Sequence, residues 1–117
     1  MPKRSMFSVL LVALAVTVAS TTAFAGDGAP KISIRNQQFT PAQLTVPANT
    51  KVELLVVNED GLPAEFESYD LSREVVVPGH SQVRIFIGPL DPGKYGFFND
   101  FHQQSKGWIV VRHPAAD

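Results

Sequence analysis

The sequence predicts an all-β protein, a single antiparallel Greek-key β-sandwich, and three observations carry that prediction. Apolar and polar residues alternate with period two in several short stretches, the mark of strands with one buried face. Clusters of turn-forming residues separate these stretches at intervals of about 8–12 residues, the spacing expected of a sandwich or barrel. Beyond residue 30, no stretch repeats convincingly at helical spacing.

The elements follow in order. Strands are predicted over residues 31–36, 43–46, 51–58, 74–77, 82–87, 95–98 and 107–112. All are rich in Val, Ile and aromatic residues, which suit a half-buried pleated surface. The turns between them are Pro47-Ala48-Asn49, Asn58-Glu59-Asp60-Gly61, Pro78-Gly79-His80 and Asp91-Pro92-Gly93-Lys94, each built on Gly, Pro, Asn or Asp. Residues 68–73 are compatible with one short helical turn. Residues 26–30 read as a flexible leader and 113–117 as a frayed tail.

The N-terminus reads as a secretory signal. Lys3 and Arg4 precede an apolar run from Met6 to Val18, and Ala23-Phe24-Ala25 offers small residues where signal peptidase reads. Cleavage after Ala25 leaves residues 26–117 as one domain, with its core over about 31–112. A run of about 13 apolar residues is short for a membrane span, so no insertion is expected after cleavage. The expected location is the periplasm, or the extracellular space if there is no outer membrane.

Removal of Lys3 and Arg4 leaves eight Lys and Arg against eleven Asp and Glu. That balance excludes nucleic acid, which demands a basic stripe to neutralise phosphates. The absence of cysteine means that no disulfide supports the fold. It also removes any cysteine nucleophile and any thiolate metal ligand. Nucleophile-elbow, zinc-protease and glycine-rich phosphate motifs are missing too.

Three segments resemble a known family. Phe39-Thr40-Pro41 with Leu44-Thr45-Val46-Pro47-Ala48 resembles the opening hairpin of a cupredoxin. Val52 to Asn58 resembles its central strand, and Tyr95 to Val111 its final ligand loop and last strand. More narrowly, Pro63-Ala64-Glu65-Phe66-Glu67-Ser68, Arg73-Glu74 and Phe97-Phe98-Asn99-Asp100-Phe101-His102 resemble the periplasmic cupredoxin-like components of bacterial ferrous-iron uptake. Those components work beside an iron permease, which the resemblance names as a partner.

The resemblance also implies an altered metal site. Glu65 stands at the first histidine position, Asn99 at the thiolate position and His102 at the second histidine position. Lys106 is all the shortened loop offers where an axial methionine would stand. Without a thiolate the chain cannot form a type 1 blue-copper centre.

The candidate metal ligands are Glu65, Glu67, Asp100 and His102. On an extended strand, Glu65 and Glu67 would point to one face around Phe66, and Asp100 and His102 repeat that spacing around Phe101. In a cupredoxin-like sandwich the two pairs would meet at one end of the domain. Carboxylates with one imidazole suit copper(II), iron, manganese or zinc. Glu67 could instead be a solvated charge, and Asp100 could satisfy loop amides. His80 reads as a surface turn residue. Among Phe97, Phe98, Phe101 and Trp108, alternation assigns some to the core and others to an apolar rim around the loop.

The reading is therefore an exported copper- or iron-binding protein that supports a periplasmic iron permease by binding and presenting metal, not by turnover of its own. Two alternatives stand beside it. One is a copper-dependent accessory to ferrous-iron oxidation. The other is a degenerate cupredoxin that mediates protein contacts without metal.

Overall fold

Nine strands and no helix make up the described part of the chain. The computed structural model describes residues 29–114, so the predicted signal segment and its cleavage point lie outside the described residues. The strands are β1 (Lys31–Arg35), β2 (Gln38–Thr40), β3 (Gln43–Pro47), β4 (Val52–Asn58), β5 (Ala64–Ser68), β6 (Arg73–Val77), β7 (Ser81–Ile87), β8 (Gly93–Asn99) and β9 (His102–Arg112). They form a four-stranded sheet in the order β2-β1-β4-β7 and a five-stranded sheet in the order β3-β9-β8-β5-β6.

The all-β sandwich is as predicted, but its strands do not all run antiparallel. β1 lies parallel to β4 and β3 parallel to β9. Both follow from one crossover. β1 and β2 form a tight hairpin through Asn36 and Gln37, whose φ angles are 52° and 64°, the positive values of a turn that matches strand twist. The Asp60 carboxylate accepts hydrogen bonds from both turn amides at 2.8 Å. The chain then leaves the first sheet after Thr40 and joins the second as β3, beside β9.

The core lies between the sheets. Ile32, Ile34, Leu54 and Val56 from the first sheet and Phe66, Val77 and Ile109 from the second are fully buried. Phe66 and Phe97 stack at 5.0 Å between ring centroids, and Phe39 from β2 meets Phe97 edge-on at 4.8 Å, an arrangement that adds about 0.5–1.5 kcal/mol per pair to the burial. Gly107 makes room for this cluster. A Cβ there would collide with the Phe97 ring and lie 2.6 Å from the Ala42 carbonyl oxygen.

Four local expectations change. β2 and β5 are strands that alternation did not single out. β9 begins at His102, not at residue 107, because the expected ligand loop is a hairpin turning through Asp100 and Phe101. Residues 69–72 form a tight turn and not a helical one, closed by the Ser72 amide donating to the Tyr69 carbonyl at 3.2 Å.

Candidate metal centre

Strand β5 sorts its side chains by parity. Ala64, Phe66 and Ser68 are at most 2% exposed and belong to the core. Glu65 and Glu67 therefore face outward from the five-stranded sheet. β6 pairs with β5 so that Glu74 lies opposite Glu67 and Val76 opposite Glu65, which brings a further carboxylate onto the same face. The tip of the β8–β9 hairpin folds over this group, its Asp100 amide donating to the Glu65 carbonyl at 2.9 Å.

Glu65, Glu67 and Asp100 each place a carboxylate oxygen within 4.8 Å of the others. Glu74, opposite Glu67 on the adjoining strand, adds a further negative charge beside the three. Sequence reading did not place Glu74 beside the other acids. The signal was there in the hairpin pairing of residues 67 and 74, but it needed β5 to be recognised as a strand.

Asn99 holds the site together without belonging to it. It is 1% exposed, and its Oδ1 accepts hydrogen bonds from the Glu65 amide at 3.0 Å and the Phe101 amide at 3.1 Å. The residue at the expected thiolate position thus clamps the hairpin tip to β5. Asp100 is oriented in turn by Gln103, whose Nε2 donates to its Oδ1 at 2.7 Å.

His102 does not join the carboxylates. It opens β9 opposite Asn99, and a register irregularity follows, so that Phe98 pairs with Lys106. Asp100 sits in the turn itself, where the two-residue periodicity of a strand does not apply. His80 lies on another surface, beside Gly61. The aromatics divide as expected: Phe97 is core, whereas Phe101 and Trp108 are 52% and 44% exposed.

The electrostatics of the cluster are uncompensated. Among the described residues the ion pairs are Arg35–Glu59 and Arg84–Glu53, and neither touches it. Glu65 is only 8% exposed. Burial, hydrogen bonding to Glu74 and Asp100, and their negative charge push its carboxyl up to about 7. Burial and the charges of Glu74 and Asp100 also raise Glu67. Such a group must take a proton or a cation to relieve its repulsion.

The chain belongs to the cupredoxin-like domain family, whose model matches residues 8–111. It is 45% identical over 82 residues to an uncharacterized protein of Rickettsia prowazekii (strain Madrid E), an alignment covering 69% of this chain and 66% of that protein. In structure it is similar to amicyanin from Paracoccus versutus, with a TM-score of 0.60 and 14% identity over 76% of this chain and 86% of that one. It is similar too to a purple cupredoxin from Nitrosopumilus maritimus, with a TM-score of 0.54 and 18% identity over 71% of this chain and 99% of that one. Unlike a type 1 copper protein, this member has no cysteine.

Proposed function

We propose that this protein is exported to the periplasm and binds a transition-metal ion, copper(II) or iron, through Glu65, Glu67 and Asp100, with Glu74 as a fourth carboxylate. The observation that carries this reading is the uncompensated charge of a largely buried glutamate among three other acids. Buried like charges without a counter-ion are costly, and a metal removes the cost while satisfying their oxygens. The donor set fits the proposal: carboxylate oxygens take hard and borderline ions, and copper(II) binds most such sites more tightly than iron(II). Cuprous ion, which favours sulfur, is a poor match.

The role beside an iron permease rests on the resemblance of the segments around Glu65, Arg73 and Asn99 to periplasmic iron-uptake components. Binding and presentation fit the site better than turnover, because oxidation of ferrous ion demands an electron acceptor and these side chains supply none.

Calorimetric titration of the mature protein with Cu(II), and anaerobically with Fe(II), tests the reading. Binding at micromolar concentration or tighter is expected, and Glu65→Gln is expected to weaken it at least tenfold, about 1.4 kcal/mol. His102→Ala is expected to weaken it less, since the imidazole lies outside the carboxylate group. Absence of heat, or heat indifferent to Glu65→Gln, refutes the site.

A further inference from the structure

One row of side chains runs across the outer face of the five-stranded sheet and through the carboxylates. In it β6, β5, β8 and β9 present Glu74, Glu67, Phe98 and Lys106 side by side. The residues flanking the last three of these along their strands are buried, so Glu67, Phe98 and Lys106 face outward together. Lys106 is exposed and, among the described residues, pairs with no acid. The other cations of this sheet are engaged or distant. Arg73 donates to the Phe86 carbonyl at 2.6 and 2.9 Å, and the Lys94 ammonium lies over the Trp108 ring at 4.6 Å. Arg112 ends β9, about 20 Å farther along the strand.

Phe98 separates Lys106 from Glu67 by two strand spacings, about 10 Å. An extended lysine stem and a glutamate side chain together span that gap. The stem can lie along the half-buried Phe98 ring, keeping its methylenes from water while the ammonium stays solvated. Tyr69 packs against that ring at 5.4 Å and holds the track in place. An ammonium at Glu67 also comes beside Glu74, the residue directly opposite, and eases the repulsion of both acids.

We propose that Lys106 is a tethered counter-ion for this site: it pairs with Glu67 while the carboxylates hold no metal and is driven off when a divalent ion binds. The proposal rests on the carboxylate group as the metal site. One solvated ion pair offsets only part of the charge, so a divalent ion still gains by binding, but it must displace the ammonium first. Lys106 thereby limits how tightly the ion is held, which suits a protein that presents metal to a partner.

Two measurements on the mature protein test this. Denaturant unfolding in chelator at pH 8 compares the parent with Lys106→Gln, Glu67→Gln and the double variant. The two positions should be coupled by about two- to fivefold in the unfolding equilibrium constant. Calorimetric titration with Cu(II) should show Lys106→Gln binding about two- to fivefold more tightly than the parent. Lys94→Gln removes the same charge from beside Trp108, and in about 0.1 M salt it should change affinity by less than about 1.5-fold. Absence of coupling, or copper affinity that Lys106→Gln raises no more than Lys94→Gln does, overturns the proposal while the metal site stands. Coupling without any copper binding by the parent overturns the metal site and, with it, displacement by metal.

Discussion

Replacing Asn99 with alanine tests the role assigned to the side chain at the expected thiolate position. The variant leaves the Glu65 and Phe101 amides without their acceptor. The Glu65 amide is buried, and an orphaned donor there costs up to about 3 kcal/mol, whereas water can reach the half-buried Phe101 amide and holds its cost near about 1 kcal/mol. The sum is about 2–4 kcal/mol. For a domain of this size that corresponds to a fall in Tm of roughly 10–25 °C. Thermal unfolding followed by circular dichroism at pH 5 measures it. Asn99→Asp keeps an acceptor oxygen for both amides and should lose less at pH 5, but it adds a charge beside Glu65, so its deficit should widen by pH 8. A fall of less than about 5 °C for Asn99→Ala would refute the clamp, as would equal losses for the two variants at pH 5.

Other outcomes follow from the same geometry. The Glu65 carboxyl, raised from 4.5 to about 7, holds its proton in the folded state at pH values where the unfolded chain has lost it. Its contribution to stability is therefore full below about pH 4.5 and lost as pH rises through about 7. Unfolding of the metal-free protein across pH 4–8 should show this decline, and Glu65→Gln should flatten it. Gly107→Ala should destabilise the fold by about 1–3 kcal/mol or more through overpacking against Phe97, as denaturant titration will show. The Ser105 hydroxyl is buried without a hydrogen-bond partner among the described residues, so Ser105→Ala should hold stability level or raise it by about 1 kcal/mol in the same assay.

Much of this fold was legible because sandwich strands advertise themselves. Ile32 and Ile34 alternate with Lys31, Ser33 and Arg35 and are buried as that alternation demands. β2 was not legible, since three residues are too few to show a period. β5 was obscured because its outward residues are glutamates in a segment bounded by turns, and it resembles a charged loop until Phe66 is known to be core. The candidate site was readable where strand parity governs it, at Glu65 and Glu67, and unreadable where pairing governs it. Glu74 comes beside Glu67 through a cross-strand register, and Asp100 comes to Glu65 through the β8–β9 turn, neither of which local sequence encodes.

The parity of β5 has a consequence for how such a domain changes over time. Fold and chemistry occupy alternate positions of one five-residue strand: Ala64, Phe66 and Ser68 answer to the interior, while Glu65 and Glu67 answer to whatever the outer face meets. With Glu74 on the adjoining strand, most of the acids sit on a single hairpin. Ligand type can therefore be exchanged there without repacking the interior, so that a lineage could move among copper, iron and no metal at all while keeping one scaffold.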